Sequence, residues 1–403
     1  MKYLAYMSIC ATLISLTACS DDKETPNSDA GQASALNLDV SETAETPLET
    51  SVKAMPLKAR LTPIAEGLDV PWGLAFLPSG DMLVTERDGR LNRITPSGEI
   101  TQIIGTPATL AERQGGYFDI ILDPNFASNR LIYLAYAKGT SDANATAIYK
   151  ARLNEAGTGL EAGADIYQAD LRGTAFHFGG RLQFLADGTL LLTLGDAYVL
   201  MEEAQSVENT HGTIVRLNTD GSIPSDNPFY NQDGANQAVF TYGHRNAQGL
   251  VVDPQSGVIF AHEHGPQGGD ELNILEPGKN YGWPAITYGI NYDGSIITDQ
   301  TEAEGMEQPV VKWVPSIAPS GMMLYSGDQY PDWQGDLFIG AMRGPAGLKL
   351  VRLDLDADFN VLAEHAYLEE AGLAYRDVVQ GPGGHIYVLA EGADSGLYKV
   401  SFE

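Results

Sequence analysis

A glycine-rich stretch between Tyr242 and Trp283 concentrates side chains that are suited to chemistry. It holds three histidines, an arginine and paired acids in the phrases Gly243-His-Arg-Asn-Ala-Gln-Gly-Leu250 and His262-Glu-His-Gly-Pro-Gln-Gly-Gly-Asp-Glu-Leu-Asn273. Glycines let main-chain carbonyls and amides approach a ligand closely, and hard cations take oxygen ligands from carbonyls and carboxylates. The density of such residues predicts a ligand or cation site, although each residue alone would more often cap neighbouring backbone in a polar loop.

A second candidate group surrounds His177, which precedes two glycines and an arginine in Phe176-His-Phe-Gly-Gly-Arg181. Histidine takes up a proton near neutral pH and therefore suits a general base. Asp196, at the end of the following apolar run, could fix the tautomer of His177 and stabilise the imidazolium. In the alternative interpretation, His177 packs between its two phenylalanine neighbours and Asp196 caps a turn.

Basic and amide side chains stand at comparable places elsewhere, namely Gln114, Arg245, Arg343 and Arg376. Together they could clamp a multiply anionic ligand, since arginine binds carboxylates in a fork geometry. His262 and His264 share one face of a predicted strand, but no third ligand at matching spacing indicates zinc. The chain has neither a Gly-rich phosphate loop nor a Gly-x-Ser-x-Gly motif, which disfavours a Rossmann site and an α/β-hydrolase.

The elements that must position these residues come from a repeated unit of two apolar strands joined by a Pro, Asp or Gly turn. Six copies occur, at 73–85, 118–136, 180–195, 249–262, 321–340 and 376–391. Short alternating strands with few helix signals predict an all-β protein. Because a single blade cannot bury both of its faces, we predict a six-bladed β-propeller over residues 59–403. A two-sheet sandwich with a second domain explains the recurrence less well.

The first 18 residues predict a lipoprotein signal peptide. A basic residue, Lys2, precedes an apolar run that is too short to span a bilayer. The run ends in Leu16-Thr-Ala-Cys19, which resembles the bacterial lipoprotein cleavage box with Cys19 as the lipidated residue. An ordinary signal peptide cut near Ala18 is the alternative.

Residues 19–58 are rich in Asp, Glu, Ser, Thr, Ala and Pro and predict a disordered acidic tether. We therefore expect the protein on the periplasmic side of the cell envelope, lipid-anchored. Ser20 follows the cysteine where an inner-membrane retention signal has aspartate, which favours the outer membrane. Only Cys10 and Cys19 occur, so no disulfide is expected after cleavage and lipidation.

The chain is strongly acidic, with 53 acidic against 24 basic residues and a formal net charge of −29. Such a charge repels nucleic acid and anionic lipid, so we expect no nucleic-acid partner and membrane contact only through the lipid anchor. Charge and composition leave open whether the protein is a monomer or a homodimer.

Taken in order, the phrases resemble the soluble pyrroloquinoline quinone (PQQ)-dependent sugar dehydrogenases, particularly the aldose (sorbosone-type) branch. Besides the phrases above, the resemblance rests on Pro71-Trp-Gly-Leu-Ala-Phe76, Leu217-Asn-Thr-Asp-Gly-Ser-Ile-Pro224, Asn280-Tyr-Gly-Trp-Pro284 and Tyr375-Arg-Asp377. It extends over nearly all of residues 60–400. It implies a six-bladed propeller with the quinone over the central channel, and oxidation of aldose sugars at C1 to lactones, with electrons passed to an external acceptor.

The resemblance also implies roles for individual residues. His177 resembles the base that takes the proton of the anomeric hydroxyl, with Asp196 as its carboxylate partner. Arg245 resembles a catalytic group that stabilises negative charge on the quinone. Residues that match further contacts to the quinone are Gln114, Asn246, His264, Asp270, Ser316, Arg343 and Arg376.

Two calcium sites are implied in the same way. The carbonyls of Gly265 and Pro266 resemble ligands of an active-site Ca²⁺ that is shared with the cofactor. Glu271 and the carbonyl of Tyr281 resemble ligands of a second, structural Ca²⁺.

Three positions depart from the glucose-specific branch of the family. Phe176 replaces a carboxylate, His264 replaces glutamine and Ala374 replaces a basic residue. Because these positions contact the cofactor in that branch, we expect quinone affinity and sugar preference to differ.

Two functions from other classes stay open on sequence alone. One is a calcium-dependent lactone hydrolase on a propeller, which needs a metal but no redox cofactor. The other is a non-catalytic propeller that binds glycans or protein partners. Redox activity with the quinone separates them from a dehydrogenase.

Overall fold

The computed structural model describes residues 57–343 and 347–403, whose strands form six four-stranded antiparallel sheets. Each sequence repeat forms the two inner strands of one sheet, and inner strands of neighbouring sheets contact one another around the ring. The predicted six-bladed β-propeller is confirmed. The predicted signal peptide, the tether and Cys19 lie outside the described residues.

The strands follow the blades in chain order, apart from the first. Strand β1 (Ala59–Glu66) belongs to the sixth blade. Blade 1 contains β2 (Pro71–Phe76), β3 (Met82–Glu86), β4 (Arg90–Ile94) and β5 (Ile100–Ile103). Blade 2 contains β6 (Tyr117–Leu122), β7 (Leu131–Thr140), β8 (Ala143–Leu153) and β9 (Leu160–Gln168). Blade 3 contains β10 (Leu182–Phe184), β11 (Leu190–Thr193), β12 (Thr213–Leu217) and β13 (Val239–Tyr242).

The second half of the ring follows the same order. Blade 4 contains β14 (Ala247–Val252), β15 (Ile259–Glu263), β16 (Asp270–Leu275) and β17 (Val311–Trp313). Blade 5 contains β18 (Pro319–Leu324), β19 (Leu337–Ala341), β20 (Lys349–Leu355) and β21 (Val361–Tyr367). Blade 6 contains β22 (Ala374–Gln380), β23 (Ile386–Glu391) and β24 (Gly396–Phe402).

The ring closes because β1 pairs antiparallel with β24, in a register that joins Ala59 to Phe402 and Glu66 to Gly396. The outermost strand of the last blade therefore comes from the start of the domain. The repeat did not predict this pairing, since it covers only the inner hairpin of each blade.

Burial decreases from the hub outwards. Strands β3, β11, β15 and β19 are completely buried, whereas the outer strands β9 and β21 are largely exposed or half-buried. Inner strands lie between two neighbouring blades, so apolar residues on both of their faces leave water, which is the main favourable contribution to folding.

In the described residues, 57–343 and 347–403, helical structure is limited to single turns. They are the α-helical turn α1 (Phe126–Asn129) and the 3-10 turns Met201–Gln205, Pro331–Trp333, Glu369–Ala371 and Pro382–Gly384. None of the described helices has the length and apolar character needed to cross a membrane.

A buried ionic group, which we call the hub group, joins blades across the axis and consists of Arg181, Asp119 and Asp377. The Arg181 guanidinium lies 3.0 Å from Asp377 and 3.6 Å from Asp119, and it stacks 4.1 Å from the ring centre of Trp72. Its Nε donates to the carbonyl of Gln248 at 2.7 Å. Blades 1, 2, 3, 4 and 6 therefore meet at one guanidinium.

Candidate active site

A cavity of about 290 Å³ opens where loops from several blades converge. Its apolar wall includes Trp72, Phe118 and Phe178, and five of the predicted quinone contacts also line it. These five residues are Gln114, Asn246, His264, Arg343 and Arg376. The sequence therefore identified most of the polar wall of this cavity.

His177 and Asp196 lie together as predicted. Asp196 Oδ1 is 2.6 Å from His177 Nδ1, and its Oδ2 accepts a hydrogen bond from the Trp283 indole at 2.8 Å. His177 is 5% exposed, so it is not merely a surface residue. Because the carboxylate is engaged with Nδ1, the tautomer with a proton on Nδ1 is favoured, which leaves the lone pair on Nε2.

The charges around this pair keep the imidazole neutral. Burial and then the neighbouring cation of Arg245 lower the pKa of His177, and Asp196 opposes them. Although burial acts in the other direction, the hydrogen bond with His177 holds the pKa of Asp196 below its usual value. A neutral imidazole beside an anionic carboxylate is the state that a general base requires.

Arg245 extends from the loop before β14 toward the turn at Gly265. Its Nη1 donates to the carbonyls of His264 and Gly265, at 3.0 and 2.9 Å. Its main-chain N–H donates to the carboxylate of Glu263. Arg245 is thus held from both ends, with its guanidinium at the wall that it shares with Asp196.

A cleft of about 600 Å³ joins these groups and is open to solvent. Asp196, Arg245 and Pro266 line it together, which brings the carboxylate partner of the predicted base and one residue of the predicted calcium turn to one place. The remaining residues that line the cleft are Tyr198, Val199, Met201, Trp283, Asn291, Tyr292 and Asp293.

Asp270 and Ser316 lie behind the wall of the cavity. The Asp270 carboxylate accepts hydrogen bonds from the Ser316 hydroxyl at 2.6 Å and from the main-chain N–H groups of Gly265, Ile317 and Ala318, each at 2.9 Å. It therefore ties the Gly265 turn to the loop before β18. Neither residue lines the cavity, and their hydrogen bonds support the Gly265 turn instead.

The three positions that differ from the glucose-specific branch lie at different places in the structure. The Nε2 of His264 lies 2.7 Å from the carbonyl of Pro319, and burial lowers the pKa of His264 to about 3, so it stands neutral in the cavity wall. Ala374 also lines the cavity. Phe176 packs instead on Tyr198, with ring centres 5.7 Å apart.

The predicted structural calcium ligands lie around a small void of about 10 Å³. Glu271 and Tyr281 line it, together with Glu263. Burial and then the nearby Glu263 raise the pKa of Glu271 to about 8. A divalent cation would favour the charged carboxylate, so this donor set fits Ca²⁺.

Side chains alone do not make a metal cage in this protein. In residues 57–343 and 347–403, no three His, Cys, Asp or Glu side chains converge as a ligand set. A calcium ion at either predicted position would therefore depend on main-chain carbonyls, which the Gly265–Pro266 turn and Tyr281 can provide.

The comparisons with known proteins agree with this geometry. The sequence profile of the Glucose / Sorbosone dehydrogenase family matches residues 68–399. The chain belongs to this family. The resemblance predicted from the sequence phrases is thereby confirmed.

Individual members of the glucose/sorbosone dehydrogenase family match almost from end to end. The aldose sugar dehydrogenase YliI of Escherichia coli (strain K12) is 38% identical over 360 residues, which cover 88% of this chain and 96% of the relative. A crystal structure of the soluble aldose sugar dehydrogenase from Escherichia coli in the apo-form covers 85% of this chain and 99% of that chain, with 37% identity and a TM-score of 0.81.

A relative with bound cofactor matches as well. The PQQ-bound form of aldose sugar dehydrogenase from Streptomyces coelicolor covers 86% of this chain and 99% of that chain, with 29% identity and a TM-score of 0.70. The glucose/sorbosone dehydrogenase fold is therefore shared over the whole propeller.

Sequence reasoning missed three residues of the site. Arg87 lines the cavity, Trp283 binds Asp196, and Arg172 donates to the carbonyl of His177 at 2.8 Å. Trp283 lies within Asn280-Tyr-Gly-Trp-Pro284, one of the phrases on which the family resemblance rests, so this phrase could have identified it as a site residue. Arg87 and Arg172 stand in no motif, because only the packing of blades brings them to the site.

Proposed function

We propose that this protein is a PQQ- and calcium-dependent aldose dehydrogenase that oxidises sugars at C1 to lactones and passes electrons to an external acceptor. The observation that carries the proposal is the buried His177–Asp196 pair, with the cation of Arg245 nearby. Phe178 and Asn246, the chain neighbours of His177 and Arg245, line a cavity that contains guanidinium groups. Membership of the glucose/sorbosone dehydrogenase family supports the same reaction class.

The cavity fits a flat polycarboxylate such as PQQ. Arg87, Arg343 and Arg376 line it, and one carboxylate there, Glu391, is bound to Arg376 at 2.7 Å. Arginines bind carboxylates through paired, charge-assisted hydrogen bonds, and aromatic walls suit a planar ring. A cationic cavity in a chain of net charge −29 supports a specific anionic ligand.

The wide cleft suits the sugar. It is lined by polar and aromatic side chains and reaches from the surface to Asp196. Tyr198 lies at its mouth and meets the His177 ring edge-on, with ring centres 5.2 Å apart. A sugar in this cleft would present its anomeric carbon to the groups at the edge of the cavity.

His177 would take the proton of the anomeric hydroxyl at Nε2, and Asp196 would stabilise the resulting imidazolium through Nδ1. Arg245 would stabilise negative charge that develops nearby. Bound PQQ would supply the oxidant that accepts the hydride from C1, so that sugar and cofactor exchange two electrons. Since the base must be neutral, turnover should fall as the pH drops through the lowered pKa of His177.

The calcium ions would act at two separate places. The carbonyls of Gly265 and Pro266 would hold one ion near the cofactor, while Glu271 and the Tyr281 carbonyl would hold the other. Chelation should therefore lower activity and melting temperature together, and Glu271→Gln should remove the calcium dependence of melting while cofactor binding persists. A melting temperature that changes neither on chelation nor in Glu271→Gln would argue against the second ion.

Titration of the apo-protein with PQQ, with and without Ca²⁺, tests the main proposal. We expect stoichiometric binding and reduction of a redox dye by several aldoses. Lactone hydrolysis that proceeds without quinone would point to the hydrolase. Failure to bind the quinone, with no activity under any condition, would point to a binding propeller.

We further propose that Cys19 carries the lipid anchor on the periplasmic side of the outer membrane. The support is the Leu16-Thr-Ala-Cys19 phrase and the acidic, polar composition of residues 19–58. Cys19→Ser should abolish incorporation of a labelled fatty acid and release the protein from membranes. Continued lipid labelling of that variant would contradict the assignment.

A further inference from the structure

Arg172 is a buried cation next to the predicted base. It is 6% exposed, and its guanidinium lies 4.0 Å from the ring centre of Phe178. Among the described residues it forms no ion pair with a carboxylate, and its Nε has no hydrogen-bond partner. Burying a cation without a paired charge is costly, so the guanidinium must be held there by what it contacts.

One hydrogen bond of the Arg172 side chain reaches the loop that carries His177 directly, and the other reaches it through Thr146 of β8. Nη1 donates to the carbonyl of His177 at 2.8 Å, and Nη2 donates to the hydroxyl of Thr146 at 2.9 Å. That hydroxyl in turn donates to the carbonyl of Phe178 at 2.7 Å. Arg172 and Thr146 thus bind the main-chain carbonyls of two consecutive residues, His177 and Phe178, and His177 is the proposed base.

The loop needs such support because His177 has φ +50°, in the left-handed region that is unfavourable for residues with a side chain. Its carbonyl also lies so close to Gly195 that a Cβ there would come within 2.1 Å. The strained conformation persists only where surrounding contacts hold it.

A purely structural explanation of Arg172 is weaker. Its main-chain groups already bind Asn144 in both directions, at 2.9 and 3.0 Å, without help from the side chain. The side chain contributes nothing to that bridge and reaches toward His177 instead.

We propose that Arg172 and Thr146 form a positioning pair, which holds the carbonyls of His177 and Phe178 so that the imidazole keeps its place beside Asp196. The inference rests on the proposed role of His177 as the base. Thr146 lies on blade 2, and Arg172 lies on the segment between blades 2 and 3. Parts of the chain from different blades therefore hold the His177 side chain in place.

The charge of Arg172 has a second effect on the same group. The charged groups that face His177 are Arg245, Asp196 and Arg172, and the titratable groups near it are His264 and Tyr198. The two cations disfavour the imidazolium and the carboxylate favours it. Removal of the Arg172 charge should raise the pKa of His177, so the acid limb of the activity profile should move to higher pH.

Three variants separate position from charge. Arg172→Met removes both, Arg172→Lys keeps the charge but loses the paired geometry, and Thr146→Val removes only the link to Phe178. We expect kcat to fall about 10- to 100-fold in Arg172→Met, because small misplacement of a catalytic group has effects of this size. Its acid limb should move up by about one pH unit, whereas Arg172→Lys and Thr146→Val lower kcat with little movement of the limb.

Arg352→Met in blade 5 is the control. Arg352 is also buried, stacks on an aromatic ring (Trp333, 4.7 Å) and has an unpartnered Nε among the described residues, and it differs from Arg172 in its ion pair with Asp336 at 2.6 Å. Its loss should lower the melting temperature without changing kcat or the acid limb per folded molecule.

Histidine ring ¹⁵N NMR of the apo-protein provides a readout that needs neither quinone nor sugar. With the His177 signal assigned from its loss in His177→Gln, we expect His177 to protonate at higher pH in Arg172→Met than in wild type. An unchanged titration together with unchanged kcat in all three variants would overturn the inference. Wild type that binds no quinone and oxidises no sugar would defeat the proposed function instead, and the NMR comparison would still test the pair.

Discussion

The hub group and the active-site group, which consists of His177, Asp196 and Arg245, are both buried and both contain arginine and aspartate, but their charges are balanced differently. In the hub group, Arg181 binds two carboxylates and two carbonyls, and the carboxylates also accept main-chain N–H groups of Leu74 and Leu182, at 3.1 and 3.0 Å. Each ionisable side chain there has its hydrogen-bond partners within the protein.

The active-site group is satisfied only in part by the protein. Asp196 is fully bonded, but the Arg245 guanidinium donates only to carbonyls. In the neighbouring cavity, the half-buried Arg87 and the exposed Arg343 form no ion pair with any described residue. Arginine and aspartate serve stability in the hub group, where they bind one another. They serve ligand binding at the active site, where cations remain in excess. The distinction lies in partners, since burial is similar in the two groups.

The largest effect should follow loss of the base. We expect His177→Ala to lower kcat by ~10²–10⁴-fold while quinone still binds, because general-base losses are of this size. Steady-state dye reduction and quinone titration measure the two quantities. His385→Ala, at the far side of blade 6, serves as the control. A His177→Ala variant with most of its rate would remove His177 from the active-site group.

The hub group should respond through stability. Arg181→Met leaves two buried carboxylates without their cation, and removal of one partner of a buried pair costs about 3–5 kcal/mol in the free energy of unfolding. Denaturant unfolding measures the loss. If Arg181→Met loses no more free energy of unfolding than the surface variant Arg60→Met, the hub group does not stabilise the fold.

The pH dependence of stability should distinguish the hub group again. Burial and the charge of Asp119 raise the pKa of Asp377 to about 7, against the opposing effect of the Arg181 guanidinium. The folded protein then keeps a proton that the unfolded chain has lost above about pH 4, so stability falls as pH rises from about 4 to 7. Asp377→Asn should flatten this fall, and the exposed Asp358→Asn should not. Superimposable wild-type and Asp377→Asn profiles would contradict the raised pKa.

The smallest effect should come from the cavity cations. Arg87→Met should weaken PQQ binding by about 1.5–3 kcal/mol, the range for hydrogen bonds to charged groups, with stability nearly unchanged. Equilibrium titration of the apo-protein measures it. Normal quinone binding together with a lowered melting temperature in Arg87→Met would show that Arg87 serves stability and not ligand binding.

The inner hairpins were predictable because their signal is local. Alternating apolar residues and a turn within about twenty positions are enough to predict a strand pair, and all six repeats became the inner strands of blades. His177, Asp196 and Arg245 were identified because they stand at the ends of these repeats. The pairing of β1 with β24 has no local signal, since its partners stand at opposite ends of the domain.

Local sequence patterns were sufficient to predict the number of blades, the family phrases and the residues at the blade ends. The folded ring was needed to show which of these side chains share a cavity, that Asp270 supports a turn from behind it, and that Arg172 reaches the carbonyl of His177. The physical reason is that strand periodicity depends on neighbours along the chain, whereas a side chain's partners depend on how the closed ring brings distant blades together.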